Sequence, residues 1–383
     1  MSAYAIRGRL LLGDGLTPGT IIVENGRIAQ VLRAPHDADV AHPALESPIV
    51  APGLIDLQVN GGFGVDVSQG VEALRALGAG LPRAGVTAYL PTVITSPAVA
   101  YPRVFAAFEQ ARRDMGHGAG AGARALGLHL EGPFLSPVRQ GAHRRDLIEA
   151  ADPRLFELFL ESDVTRLVTV AAERPGVLPW ITRLSERGIL VSLGHTDATY
   201  EEFARGVDAG ARMATHLYNA MSPYAHRAPG AIGAALVDDR VTAGLIVDGA
   251  HSHHGAVRLA LRAKGAGRVA LVSDMMAAAG MPPGAYPLGD RMVVVDGGTA
   301  RLADGTLAGA VLMLDQAVRN VVEWANVSPA EALRMASEVP ARLLSLDRKG
   351  RIVAGADADL ALLDDSLRVE GTIVAGDIVY RTA

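Results

Sequence analysis

Apolar positions change their spacing twice along this chain. Near the start, Ile21-Ile22-Val23 and Ile28-Ala29-Gln30-Val31-Leu32 flank a polar turn, Glu24-Asn25-Gly26-Arg27. Asn-Gly favours a tight hairpin because both central residues of that turn take positive φ. The first ~35 residues therefore predict short strands. The end repeats the pattern: Leu360-Ala361-Leu362-Leu363 and Thr372-Ile373-Val374 are apolar runs, and Ala375-Gly376-Asp377 turns into Ile378-Val379-Tyr380. Two β-rich ends around a different middle predict one small β-sandwich domain built from residues 1–50 and 351–383. The stretch from Ala34 to Pro48 carries Pro35, Pro43 and Pro48 without a period and reads as a linker.

Between the ends, short β-branched runs alternate with helical stretches. The predicted strands are Leu54–Val59, Thr87–Leu90, Ala125–Leu130, Arg166–Val170, Leu190–Leu193, Met213–Thr215, Thr242–Val247 and Val269–Val272. Ala/Leu/Glu/Arg-rich segments such as Val71–Ala79 and Glu201–Asp208 lie between them. Eight parallel strands with crossover helices fit an α/β class (β/α)8 TIM-type barrel over residues 51–350. A doubly wound open sheet is the alternative, and it calls for a glycine-rich phosphate loop after its first strand. Gly61-Gly62-Phe63-Gly64 is glycine-rich but lacks that spacing. A hairpin follows the eighth strand, Arg291–Val295 and Ala300–Leu302 around Asp296-Gly297-Gly298. A helix begins at Ser328-Pro329-Ala330-Glu331, which has a capping residue, a first-turn Pro and a Glu three residues on.

Composition narrows the chemistry. The 383 residues are 49% hydrophobic and 20% charged, enough apolar material for a large core. A net charge of −5 gives no broad basic field, so nucleic acid is not an expected partner. There is no cysteine, which removes disulfides, iron–sulfur clusters and thiolate zinc sites. Any metal must be held by His, Asp or Glu. The opening apolar run is broken by Arg7, Arg9 and Asp14, unlike a signal peptide. No run of ~18 apolar residues occurs, so no membrane partner is expected and a cytoplasmic location is.

Polar residues recur just after the predicted strands: Gln58, Asn60, Thr92, Glu131, Glu173, His195, His216, Asp248, His251 and Asp274. Strand ends on one face of such a barrel carry catalysis. Glu131, His195 and His216 are candidate metal ligands, because one carboxylate and two imidazoles leave a fourth position open. Any one of these histidines alone would be better read as a hydrogen-bonded core residue; three ligand-type residues at separate strand ends favour a metal. Asp274 follows the apolar run Val269-Ala270-Leu271-Val272-Ser273, and a buried carboxylate needs a partner or a task. Its task would be general base, then acid; the alternative is a structural ion pair or helix cap. Arg227 lies in a Pro- and Gly-rich loop, where it could clamp a phosphate or carboxylate, although a lone loop Arg is more often solvated. Of His251, His253 and His254, one is expected to face the site.

The motifs together resemble a known family. Ala51-Pro52-Gly53-Leu54-Ile55-Asp56 is similar to the opening barrel strand of the amidohydrolase superfamily. The rest resembles the N-acetylglucosamine-6-phosphate deacetylase family within it. The matching stretches are Asp56-Leu57-Gln58-Val59-Asn60-Gly61, His129-Leu130-Glu131-Gly132-Pro133-Phe134, Gly194-His195-Thr196, Thr215-His216-Leu217-Tyr218-Asn219-Ala220-Met221, Val247-Asp248-Gly249-Ala250-His251, Ser273-Asp274 and Leu307-Ala308-Gly309. They run in order over nearly the whole chain.

The resemblance implies hydrolysis of the acetamide of N-acetyl-D-glucosamine 6-phosphate to glucosamine 6-phosphate and acetate, in amino-sugar catabolism. It implies one divalent metal ion per subunit on Glu131, His195 and His216, zinc first, with iron, manganese and cobalt as alternatives. Asp274 would be the catalytic carboxylate and His143 would stand by the acetyl carbonyl. Asn219, Ala220, Arg227, Asp248 and His251 would serve the sugar phosphate, and Ala142 with Leu307, Ala308 and Gly309 would close over it. A homodimer or higher homo-oligomer is implied too. One departure matters. Most amidohydrolases carry His-x-His on the first strand for a second metal, whereas this chain has Gln58-Val59-Asn60, which resembles the single-metal branch. A weak second site there stays open. Three rivals stand beside this reading: the galacto epimer of the substrate, a dihydropyrimidinase-like hydrolase, and an inactive barrel used for binding. The second expects a bridging lysine, and the chain's two lysines, Lys264 and Lys349, follow no predicted strand.

Overall fold

The computed structural model describes residues 3–13, 15–33, 44–114 and 122–382. Its centre is a run of eight parallel strands in chain order: Leu54–Val59, Val86–Ile94, Leu128–Glu131, Thr165–Val170, Leu190–Leu193, Met213–Ala214, Thr242–Leu245 and Val269–Leu271. Their side chains are almost all buried, as expected where helices cover the outer face of a parallel sheet. The first and last strands meet, which decides between barrel and open sheet. Val59 bridges Met275 in parallel, and the Asn60 N–H donates to the Met275 carbonyl at 2.8 Å. The run predicted over Ala125–Leu130 is split into Arg124–Ala125 and Leu128–Glu131. Gly127 interrupts it at φ 145°, and a Cβ there would strike the Arg166 side chain at 1.9 Å.

The two ends of the chain form one seven-stranded sheet. Its order is Asp377–Arg381, Val369–Val374, Leu360–Leu363, Leu45–Pro52, Tyr4–Leu12, Gly15–Glu24 and Arg27–Arg33. Alternation along the strands gives the sheet two apolar faces. Val50, Leu360 and Leu362 pack with Ile6, Leu10 and Ile21 in a core that belongs to this sheet. Ile49, Ala51, Ala361 and Leu363 face the other way and join the barrel's core. The linker expectation needs correction. Leu45–Pro48 opens the strand that joins the two ends, with Leu45 and Ser47 buried and Glu46 and Pro48 exposed. Pro48 hid that alternation; the pairing slips between Arg7 and Arg9 opposite it, as a residue without an N–H demands. Residues 34–43 of the expected linker lie outside the described residues.

The hairpin after the eighth strand gains a third strand that the sequence reading did not anticipate. Gly284–Leu288, Arg291–Asp296 and Thr299–Arg301 form an antiparallel flap. Leu288, Val293 and Val295 pack on Ile94 and on Met276, Ala277 and Ala278, just past the strand ends, so the flap sits over that face of the barrel. Helix Pro329–Met335 starts with the expected capping box between Ser328 and Glu331. Among the described residues no helix is long and apolar enough to cross a membrane.

Candidate metal centre and catalytic cavity

Four barrel strands deliver the chemistry. Glu131 is the last residue of its strand, while His195, His216 and Asp274 stand a few residues beyond theirs. These three turn away through the left-handed region, at φ 46°, 30° and 51°. Non-glycine residues rarely rest there, and such conformations cost on the order of 1–3 kcal/mol each. The strain gathers where three polar side chains line one cavity.

The convergence is tight. His216 Nε2 lies 3.1 Å from Glu131 Oε1, His195 Nε2 lies 3.4 Å from the same oxygen, and the two Nε2 atoms are 3.1 Å apart. Ligands held 2.0–2.1 Å from a tetrahedral ion stand about 3.3 Å from one another, so this triangle has the size a divalent cation requires. The donor chemistry agrees. His195 Nδ1 donates to the Arg139 carbonyl at 2.9 Å, which leaves the Nε2 lone pair pointing inward at a second imidazole and a carboxylate. Burial would raise the Glu131 carboxyl, but the hydrogen bonds of His195 and His216, with the charge of His195, outweigh it and hold Glu131 well below the usual carboxylate range. Burial would lower His216, yet Glu131 holds it above its ordinary value. Three buried ligand-type groups thus share one focus that a cation would satisfy.

Two groups flank that focus. Asp274 is pushed up to about 6, first by burial and then by the Glu131 charge. Asn60 Nδ2 donates to its Oδ1 at 2.8 Å. His143 Nε2 lies 3.8 Å from Glu131 Oε2. Burial, with the positive field of His195, pushes His143 down to about 3, so its ring is neutral. The backbone N–H of Thr95 lies 3.2 Å from Nδ1 and Thr95 Oγ1 lies 2.9 Å from it; the N–H can only donate, so Nδ1 accepts and the ring's proton is on Nε2. Gln58 Nε2 donates to Glu131 Oε1 at 3.2 Å.

A cavity of about 350 Å³ opens over these residues, a size suited to a small metabolite. Asn60, Glu131, His143, His195, His216 and Asp274 line its polar end. Ala142, Asn219, Ala220, His251, Leu307 and Gly309 line it as well, so most of the expected substrate residues meet in one space. Three do not line it. Arg227 is exposed on its loop. Ala308 is buried in the flap's core. The Asp248 carboxylate accepts from His251 Nδ1 at 2.7 Å and from two backbone N–H groups, so it orients His251 and does not face the cavity. His253 caps the helix His254–Lys264, and neither it nor His254 lines the cavity. His129, inside the third barrel strand, is a core histidine bonded to Thr169 Oγ1 at 2.7 Å. Glu173 accepts from Thr196 Oγ1 and the Asp197 N–H and so braces the turn after His195. Sequence reasoning missed Arg139 and Thr95. Arg139 acts through its carbonyl, which leaves no mark on side-chain identity, while Thr95 acts through its N–H and also its hydroxyl, 2.9 Å from His143 Nδ1.

Comparison with known proteins agrees with this geometry. Residues 49–379 match the amidohydrolase family. The chain is 37% identical over 366 residues to the N-acetylglucosamine-6-phosphate deacetylase of Lysinibacillus sphaericus, covering 94% of this chain and 93% of that one. It is also 37% identical over 375 residues to the N-acetylgalactosamine-6-phosphate deacetylase of Escherichia coli O157:H7, covering 97% of each. A solved structure of a variant N-acetyl-D-glucosamine-6-phosphate deacetylase from Mycobacterium smegmatis, in complex with N-acetyl-D-glucosamine-6-phosphate, superposes with a TM-score of 0.91 at 33% identity, over 99% of this chain and 100% of that one.

Proposed function

The chain belongs to the amidohydrolase family, and from that premise we propose that it is a metal-dependent deacetylase of an amino-sugar phosphate. It hydrolyses the N-acetyl group of N-acetyl-D-glucosamine 6-phosphate to glucosamine 6-phosphate and acetate. The observation that carries the reading is the meeting of Glu131, His195 and His216 with Asp274 in one cavity.

Glu131, His195 and His216 would hold one divalent cation, zinc by preference, with iron, manganese or cobalt able to use the same donors. Bound there, it would supply Lewis acidity toward the acyl oxygen and the attacking water. The chain's own residues do the rest. Asp274 takes a proton from water as the water oxygen attacks the acetyl carbon. The neutral Nε2–H of His143 donates to the oxygen on which negative charge develops. Asp274 then returns its proton to the nitrogen as the carbon–nitrogen bond breaks, which releases the amine and acetate. His251, oriented by Asp248, serves the phosphate end together with Asn219 and Ala220.

Arg227 fits the phosphate role only across a subunit boundary, because its loop is exposed and lies outside this chain's own cavity. A homodimer that places this loop at the partner's cavity accounts for it. A charged sugar phosphate does not cross a bilayer unaided, so the reading carries a cytoplasmic enzyme with it. The chain divides into the terminal β domain, 1–50 with 351–383, and the barrel, 51–350. The galacto epimer is the second reading, kept because the Escherichia coli relative of that name is as identical to this chain as the Lysinibacillus sphaericus one. Acetate release from each 6-phosphate, measured with metal content, tests the proposal. Release from neither sugar contradicts it.

A further inference from the structure

The first barrel strand ends in Gln58-Val59, and Asn60 follows it directly, two residues on from Gln58. Both amide side chains are buried, at 1% and 2% exposure. Gln58 Nε2 donates to Glu131 Oε1 at 3.2 Å, and Asn60 Nδ2 donates to Asp274 Oδ1 at 2.8 Å. Among the described residues the two amide oxygens, Gln58 Oε1 and Asn60 Oδ1, are buried with no hydrogen-bond partner. The carboxylates therefore set how each amide is turned, since reversing either would press an oxygen lone pair against a negative oxygen. A buried carbonyl without a partner is costly, and a position that served only packing would carry an apolar side chain instead.

The backbone holds both donors in place. The Asn60 N–H is bonded to the Met275 carbonyl at 2.8 Å, one residue past Asp274. Asp56 Oδ1 accepts the N–H of Gln58 and that of Ser273, each at 3.2 Å, and so ties this strand to the turn that carries Asp274. Among the described residues the second oxygen of Asp274 has no hydrogen-bond partner, while Asp274 itself lines the cavity. Holding Oδ1 leaves that second oxygen for proton transfer.

We propose that Gln58 and Asn60 are positioning residues: two neutral donors that fix the Glu131 and Asp274 carboxylates in single orientations without adding charge beside them. The inference rests on the deacetylase reading above. It assigns the two amides separate tasks, Asn60 to the proton-carrying carboxylate and Gln58 to the metal-binding one.

The test uses three variants of the full chain, Asn60→Leu, Asn60→Asp and Gln58→Met, which remove a donor at nearly constant volume. Acetate release gives kcat and KM; zinc affinity is read by competition with a chelator. Asn60→Leu should lower kcat by about tenfold to a hundredfold, keep KM within about twofold and keep wild-type zinc affinity. Gln58→Met should weaken zinc binding by about tenfold or more. If Asn60→Leu does not fold, the isosteric Asn60→Asp replaces it with the same expected fall in kcat. Wild-type kcat in a folded Asn60 variant overturns the proposal, as does wild-type zinc affinity in Gln58→Met. A wild-type protein that releases no acetate contradicts the deacetylase reading instead, and the Gln58 arm is then decided by zinc affinity alone.

Discussion

The backbone N–H of Thr95 donates to Nδ1 of His143 across 3.2 Å. A main-chain donor cannot reverse its role, so it fixes a tautomer that a side-chain partner would leave open. The proton of a ring held neutral by burial sits on Nε2, on the side of Glu131 and the cavity. Replacing His143 with Ala should therefore cost kcat about a hundredfold to a thousandfold, the usual loss when one oxyanion donor is removed. Metal content should stay at the wild-type level. Thr95→Val, which keeps the N–H, should change kcat far less. Steady-state kinetics on the three proteins checks both statements.

Asp274 carries the proton in this account, and burial with the Glu131 charge lifts its carboxyl to about 6. The raised value belongs to an acid, so the working anion exists above that pH and is lost below it. Turnover should therefore fall as pH drops through about 6, well above the pH at which an ordinary carboxylate is protonated. Asp274→Asn should abolish acetate release at every pH while the metal stays bound. A variant that turns over normally would assign the proton transfer to another group.

Much of this was legible before any coordinates. Strand positions followed from continuous apolar runs, which parallel strands covered on the outside must have. Leu54–Val59 and Leu190–Leu193 were read residue for residue. Glu131, His195, His216 and Asp274 were readable because a barrel concentrates function where strands end. The failures also have physical causes. Pro48 masked the strand Leu45–Pro52, since a proline normally ends pairing and here sits at a register slip. The family resemblance puts Asp248 with the substrate residues, and in the structure its oxygens accept from His251 and two backbone N–H groups. Arg139 contributes a carbonyl that every residue possesses, and Thr95 a common amide hydrogen with a hydroxyl beside it.

Gly53, in the opening motif of the barrel, is required by space. A Cβ there would lie 2.1 Å from Thr87 Oγ1 and 2.7 Å from Thr87 Cβ, on the neighbouring strand. Gly53→Ala must force the first two barrel strands apart, at a cost of about 1–3 kcal/mol. Thermal unfolding should show a Tm lowered by about several degrees. Adding Thr87→Ala should recover part of the loss, because it removes the nearest atoms.

Arg227 gives a test of the phosphate role and of the subunit arrangement together. Its guanidinium is exposed and outside the chain's own cavity. Arg227→Ala should lower kcat/KM for the 6-phosphate by about tenfold to a hundredfold. It should leave any acetate release from unphosphorylated N-acetylglucosamine unchanged. Sedimentation of the wild-type protein should show a dimer. Equal losses on both sugars would remove Arg227 from the phosphate site.

The account stands on one cation held by Glu131, His195 and His216. The most direct measurement strips the purified protein with a chelator and follows acetate release while zinc is added back. The stripped protein should be inactive, and activity should return in full at about one equivalent per chain. Glu131→Ala should not respond to the same addition. Full turnover by a protein shown by elemental analysis to hold no divalent cation would contradict the account.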